Sequence, residues 1–358
     1  VNGSSPHTLP NAAAAAAVPE PGRRAAWPAW TLALVFLMLL VVLAFGMGRV
    51  MVAPGDVLAI LGSALTGGTS GADATAQAVV LQVRAPRIAA ALMIGAALAV
   101  SGAAYQSVFR NPLVAPDLLG VSAGAALGAL TGIWFSLDVW AIQMLAFGGG
   151  LAAVAASYAL AASFRQHDPV LVLVLAGIVL GALIGACISL LKYLADPFDK
   201  LPAMTYWLLG SLAAATPGDV VAALPAIFAG LVVLWLLRWR LDVLAMGDEE
   251  ARALGVETRR IRMAAIAAAT LATAAAVSIA GIVGWVGLVV PHLARMAVGP
   301  GNARLLPAAA LSGAGFLLVV DTLARSAGRL ELPLGVLTAL VGTPLFLWLL
   351  ARARRVWT

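Results

Sequence analysis

Charge is scarce in this sequence. Asp, Glu, Lys and Arg make up 11% of its 358 residues, against roughly 25% in an ordinary globular domain. Apolar residues make up 62%, and the mean hydropathy is +1.00. A soluble fold of this length could not cover so much apolar surface with so few charges. A soluble enzyme and a nucleic-acid binder are both excluded. Lysine is almost missing: only Lys192 and Lys200 stand among the 22 basic residues. The net charge of +6 is therefore carried by arginines, most of them in short loops. That pattern fits anchors beside a membrane of anionic lipid. Cysteine occurs once, at Cys187, so no disulfide within the chain is possible. With three histidines (His7, His167, His292) it makes no metal-ligand cluster. No metal and no cofactor are expected in this chain.

What is present is a series of apolar runs. At about 20 residues per span, the length allows roughly nine to eleven helices. The runs predict spans at 29–50, 87–108, 117–135, 139–163, 169–192, 219–238, 261–281, 285–297, 304–324 and 333–351. The fold class is all-α, a polytopic membrane protein of about ten transmembrane helices. The apolar stretch 201–215 is too short to cross and reads as a half-span. The span 285–297 is also short and contains Pro291. A broken helix of this kind often lines a transport pathway, although Pro is common in ordinary spans too.

Residues 1–27 are rich in Ala, Pro and Ser and read as a disordered cytoplasmic tail. Residues 28–358 then form one transmembrane domain. Arg23 and Arg24 precede the first run, which is too long for a signal peptide and reads as an uncleaved span. A twin-arginine export signal is the alternative. With the amino terminus in the cytoplasm, 15 of the 22 basic residues fall inside and seven outside. That excess places both termini in the cytoplasm. Glycines recur every fourth residue at Gly120, Gly124, Gly128 and Gly132, and at Gly177, Gly181 and Gly185. Each set makes a flat ridge that another backbone can approach.

Four segments carry functional signal. Eight of the 15 residues from Asp248 to Arg262 are charged. Asp248 suits a helix start, with Glu249 and Glu250 at its positive end and Gly255 at its stop. A short amphipathic helix held off the membrane suits docking of a soluble partner, and a solvated loop is the plainer reading. Arg84 and Arg87 stand at the outer start of the second span, and Arg325 at the outer end of the ninth. Arginine there runs against the positive-inside bias. A guanidinium suits a partner's carboxylates, and an interfacial anchor is the plainer reading. The turn Arg110-Asn111-Pro112-Leu113, closed by Pro116, is short and rigid. It reads as a gate or as a plain turn. Trp207, with Met204 and Tyr206 beside it, could touch substrate or anchor at the interface.

In this order the segments resemble the permease subunits of bacterial ATP-binding-cassette importers for iron chelates, haem and vitamin B12, the FecCD/BtuC-type family. The matching stretches are RAPRIAAALMIGAALAVSGAAYQSVFRNPLVAPDLLGVSAGA, LVLAGIVLGAL, LPAMTYWLLGSL, GDEEARALGV, GIVGWVGLVVPHLAR and LPLGVLTALVGTPLFLWLL. They cover most of residues 84–351.

The resemblance implies a type II importer permease in the bacterial inner membrane. It would work as a homodimer, with the translocation path at the dimer interface. Two ATPase subunits would sit on the cytoplasmic face and hold the ATP-Mg, and a periplasmic binding protein would deliver the cargo. Arg84, Arg87 and Arg325 match positions that pair with glutamates of that binding protein. A coupling-helix region over 242–258 would fit the ATPase through Gly247, Asp248, Glu249, Glu250, Arg252, Ala253, Leu254 and Gly255. Asn111 and Leu113 match a cytoplasmic gate. A second gate would lie around Asp168–Leu171, with Val170 and Leu171 in it. Here it is more apolar than the Ser/Thr-rich version of the B12 permease. The chain itself would be no enzyme. Ferric siderophore or haem is the expected cargo, with cobalamin, molybdate or tungstate as alternatives.

Two rival readings differ in class. An ion-coupled secondary transporter would need ionisable groups at mid-membrane, and Asp117, Asp168 and Asp321 fall at predicted helix ends. An intramembrane serine protease would use Gly120-Val121-Ser122-Ala123-Gly124 with His292. That motif needs a strand-to-helix elbow, which an all-helical bundle does not supply.

Overall fold

A computed structural model describes residues 26–48, 50–68, 71–164, 169–328 and 330–354. The tail over 1–25, with Arg23 and Arg24, lies outside the described residues, as does Asp168 of the second expected gate. Among the described residues the chain is helical throughout. The order is α1 (Ala26–Gly46), α2 (Pro54–Thr66), α3 (Ala74–Ala78), a π turn (Val79–Arg84), α4 (Ala85–Val108), a 3-10 turn (Pro116–Leu119), α5 (Val121–Trp134) and α6 (Val139–Ala162). It continues with α7 (Pro169–Leu194), α8 (Lys200–Leu209), α9 (Pro217–Met246), α10 (Asp248–Ala253), α11 (Thr258–Ala280), α12 (Val286–Val298), α13 (Asn302–Ser326) and α14 (Leu334–Arg354).

Each of the ten expected spans coincides with a helix. Six are long and apolar enough to cross a membrane by length and composition: α4 with the turns before it, α6, α7, α9, α11 and α13. The other four, α1, α5, α12 and α14, are shorter apolar helices. The half-span is α8, which ends at Gly210. Helix α2 was not foreseen; its Gly55, Asp56 and Gly62 interrupt the apolar run.

The packing is inverted relative to a soluble bundle. Helix α4 is the hub, 78% buried over its most apolar stretch, and packs against α9, α11, α12 and α13. Eleven of its 24 residues are Ala or Gly, so neighbours approach closely. Helix α7 is richest in Leu, Val and Ile and is only 17% buried. In lipid, large apolar side chains gain nothing by turning inward, and small ones allow backbones to meet.

The glycine ridges show this directly. A Cβ on Gly124 would overlap the Gly149 carbonyl, and one on Gly128 the Leu145 carbonyl, so the first ridge seats α6 against α5. In the second ridge Gly177 packs on Leu118, while Gly181 and Gly185 have nothing within 4 Å. That face of α7 is open.

Helix α12 is the broken one. It starts after the unwound segment 281–285, and Trp285 at its start has a φ of +70°, rare for a bulky residue. Gly210, Gly281 and Gly335 bring the ends of α8, α11 and α14 to one point. Ser211 N–H donates to Ala280 O at 2.9 Å, and Leu334 N–H to Gly210 O at 2.9 Å. Helix α9 starts with a capping box, in which Thr216 and Asp219 satisfy each other's backbone N–H. Thr216→Ala is expected to cost about 1 kcal/mol, read as a small drop in the unfolding temperature in detergent.

Candidate functional site

The functional segments lie at opposite ends of the bundle. At one end are the end of α1, the start of α4 and the end of α13. At the other are α10, the turn after α4, the start of α7 and the end of α6.

Arg84, Arg87 and Arg325 meet at the first end. The sequence reads them as docking residues or interfacial anchors at the outer ends of spans, and in the fold their side chains are buried, at 4%, 6% and 6% exposure. Arg87 Nε donates to Asp321 Oδ1 at 2.8 Å, and its Nη1 forks onto Glu331 at 2.9 and 3.1 Å. Arg325 lies 3.7 Å from Asp321 Oδ2, one helical turn back on α13. Arg84 donates to the carbonyls of Phe45 and Val50, and Arg325 to those of Ala44 and Met47. Two guanidiniums thus cap the carboxyl end of α1, where orphan carbonyls carry negative partial charge. Gly48 is a glycine because a Cβ there would stand 2.8 Å from Arg84 Nη2 and 3.3 Å from Arg325 Nη1. Of this cluster's carboxylates, Asp321 is fully buried and Glu331 is partly open. Sequence reasoning missed Glu331 as a partner; an acidic residue beside Arg329 reads as a plain loop charge.

At the other end, α10 forms as the charge pattern predicts. Asp248 accepts from Arg262 Nη2 at 2.8 Å, which ties α10 to the start of α11. Ala251 is buried against the bundle, while Glu249, Glu250, Arg252, Ala253, Leu254 and Gly255 face solvent. Gly247 starts the helix at φ +139°, and Gly255 follows it at φ +76°. Beside α10 is a cavity of about 390 Å³ lined by Tyr158, Phe164, Leu173, Arg252, Arg259 and Arg262. Asp248→Ala removes the Arg262 partner and is expected to raise hydrogen exchange of α10 at least severalfold while α4 stays protected. Equal exchange in both proteins would show that the pair does not hold α10.

The turn after α4 is held by Asn111. Its side chain accepts from Leu113 N–H at 2.9 Å, and its carbonyl from Val114 N–H at 3.3 Å. Leu113 is thereby set out into solvent. Val170 and Leu171, in the first turn of α7, are half-buried and exposed. Both expected gate segments are at the α10 end.

Trp207 is half-buried and packs against α5, α6 and α11 near Leu130, Ile142 and Val277. Met204 beneath it is fully buried, and Tyr206 is exposed with its hydroxyl on Ser211 Oγ at 3.0 Å. The open surface nearby is instead a groove of about 730 Å³, lined by Leu208, Leu209, Trp285, Val336, Leu340 and Pro344 among others. Among the described residues no charged side chain lines it. Ser122 starts α5 and donates to Asp117. Its motif opens a helix in a bundle with no strand among the described residues, so the protease elbow is not built.

A family model for the FecCD transport family matches residues 36–352. The chain belongs to that family. It is 37% identical over 319 residues to the molybdate import system permease protein MolB of Haemophilus influenzae, covering 89% of this chain and 94% of the relative. It is 44% identical over 281 residues to the cobalamin import system permease protein BtuC of Halobacterium salinarum, covering 78% and 75%. A metal-chelate type ABC transporter solved in an inward-facing conformation superposes with a TM-score of 0.82 at 35% identity, covering 91% of this chain and all of that one. This FecCD-family chain is a multi-pass membrane permease of the ABC importer type and a transport subunit.

Proposed function

We propose that two copies of this FecCD-family permease form the channel of an ATP-driven importer for a metal chelate. ATPase subunits engage α10, a binding protein delivers cargo to the arginine end, and both termini face the cytoplasm. The observation that carries the reading is α10. It is anchored to α11 through Asp248 and Arg262 and presents charge and Leu254 to solvent, at the same end as the Asn111–Leu113 turn. A helix held this way transmits a push into α11 and the bundle core.

In this reading the second copy packs on α7. Gly181 and Gly185 leave a flat track on α7 that no described residue fills, and close helix contact in lipid uses such tracks. Gly181→Leu is expected to leave the single chain folded and to shift native mass spectra from two copies to one. Two copies retained in this variant would move the interface elsewhere.

The docking role expected of the three arginines enters this reading in modified form. Arg84 and Arg325 hold the end of α1. Arg87 meets a partner's carboxylate when Glu331 releases it. The apolar groove beside Trp285 suits a bulky chelate better than a small oxyanion, which would lose its hydration there. Molybdate stays the second reading, because MolB is matched over nearly its whole length.

The test is purification from native membranes in mild detergent, with masses read by native mass spectrometry, then uptake of ferric siderophore, haem, cobalamin and molybdate by the reconstituted complex. Two copies with two ATPase subunits are expected. This chain without any nucleotide-binding partner in several mild detergents would overturn the reading.

A further inference from the structure

Arg110 closes α4 with a φ of +50°, in the left-handed region that arginine rarely adopts. Arg110 N–H reaches Ser107 O at 3.4 Å and Asn111 N–H reaches Gln106 O at 3.2 Å, so the reversal is a helix C-cap made without glycine. Glycine would hold that geometry at no steric cost. An arginine here therefore does something other than turn the chain.

Its side chain crosses to the corner where α10 begins. Arg110 Nη1 lies 3.6 Å from the point where a Cβ on Gly247 would stand, and the Glu250 carboxylate overlaps that same point. Arg110 and Glu250 thus reach one spot above Gly247 from different elements. Among the described residues they make no ion pair within 4 Å. Both side chains are exposed, and a closed pair would contribute little to stability. The Gly247 carbonyl accepts from Ala251 N–H at 3.0 Å, so movement of α10 carries Gly247 with it. On the other side, Arg110 is bonded in sequence to Asn111, whose side chain holds Leu113.

We propose that Arg110 is the positioning residue through which α10 moves the Asn111–Leu113 turn within one subunit. This rests on the permease reading above. When α10 shifts, Glu250 closes on the guanidinium, and the strained Arg110 backbone passes the displacement to the turn.

The experiment uses the complex with its ATPase in lipid bilayers. Cys187 is replaced by Ser and a nitroxide is attached at Leu113→Cys. The spectrum is recorded with and without ATP-Mg. The wild-type label is expected to change mobility on nucleotide addition. Arg110→Gly keeps the backbone turn and removes the charge. It is expected to reduce the nucleotide-dependent shift between label states by about three- to thirtyfold, with ATPase binding unchanged. Arg110→Lys restores most of the shift, which a merely structural role would not predict. An undiminished response in Arg110→Gly would overturn the Arg110 link and leave the permease reading standing. A complex without ATPase, or a wild-type label indifferent to nucleotide, would overturn the permease reading and this inference with it.

Discussion

Asp321→Ala is expected to prevent recovery of folded, monodisperse protein from the membrane. Asp321 is fully buried and faces two buried guanidiniums, Arg87 at 2.8 Å and Arg325 at 3.7 Å. Removing it leaves the buried guanidiniums of Arg84, Arg87 and Arg325 with one described carboxylate, Glu331, to share. Breaking a buried pair from one side costs about 3–5 kcal/mol, a large share of the roughly 5–15 kcal/mol that holds a typical domain. The comparison that isolates the charge is Arg87→Met with Asp321→Leu. Replacing both partners by apolar residues of similar size is often near neutral, so the double variant is expected to recover much of what the single one loses. A surface pair serves as control. Arg260 and Glu257 stand 2.9 Å apart but are 76% and 59% exposed, and Glu257→Ala is expected to cost under about 1 kcal/mol. The yield of monodisperse protein reads the single variant, and thermal unfolding of the purified proteins reads the double variant and the control. If Asp321→Ala unfolds with the wild type, the cluster is not what joins α1, α4 and α13.

Gly102→Leu is expected to be as damaging by a different route. A Cβ at Gly102 would overlap the Gly287 carbonyl, and α4 is the hub on which four other helices pack. The contact is backbone against backbone, so no side-chain rotation relieves it. The helices must separate, and every small-residue contact along α4 and α12 opens with them. Overpacking of this kind costs about 1–3 kcal/mol even where neighbours can adjust, and these cannot. Gly181→Leu adds the same atoms where nothing lies within 4 Å. It should fold as the wild type does. Equal unfolding temperatures for Gly102→Leu and wild type would show that α4 and α12 sit farther apart than described.

The two predictions mark where sequence reading reached its limit. The Gly124 and Gly128 ridge was visible as a four-residue repeat and does seat a helix. Gly181 and Gly185 have the same spacing and face no described atom, because periodicity names a face and not its occupant. Gly102 belongs to no repeat of four, and its contact with Gly287 appears only when α12 is placed. The short helix at Asp248 was legible because capping chemistry and a burst of charge are local signals. Its anchor, Arg262, was in the same charged run, but only the return of α11 brings it to Asp248. The arginines at 84, 87 and 325 were legible as anomalies, but their partners within the chain were not. Local sequence shows a charge against the orientation bias and not the carbonyls of Ala44, Phe45 and Met47 waiting some 40 to 280 residues away. The link from Arg110 to Gly247 had no sequence signal apart from a bulky residue where glycine would serve.

By itself the sequence determined that the chain is a helical membrane protein, where ten of its apolar helices run, and which family motifs it carries. Those properties follow from composition and from signals within a few residues, since lipid demands that each span satisfy its own backbone. Only the tertiary structure decided which helices are inside and what the arginines bind. It also decided which glycines are closed by a neighbour and which face of α7 stays open. In lipid the apolar side chain has no preferred direction, so hydropathy does not tell inside from outside. The decision passes to backbone approach, buried ion pairs and carbonyl capping, all of which join residues far apart in the chain.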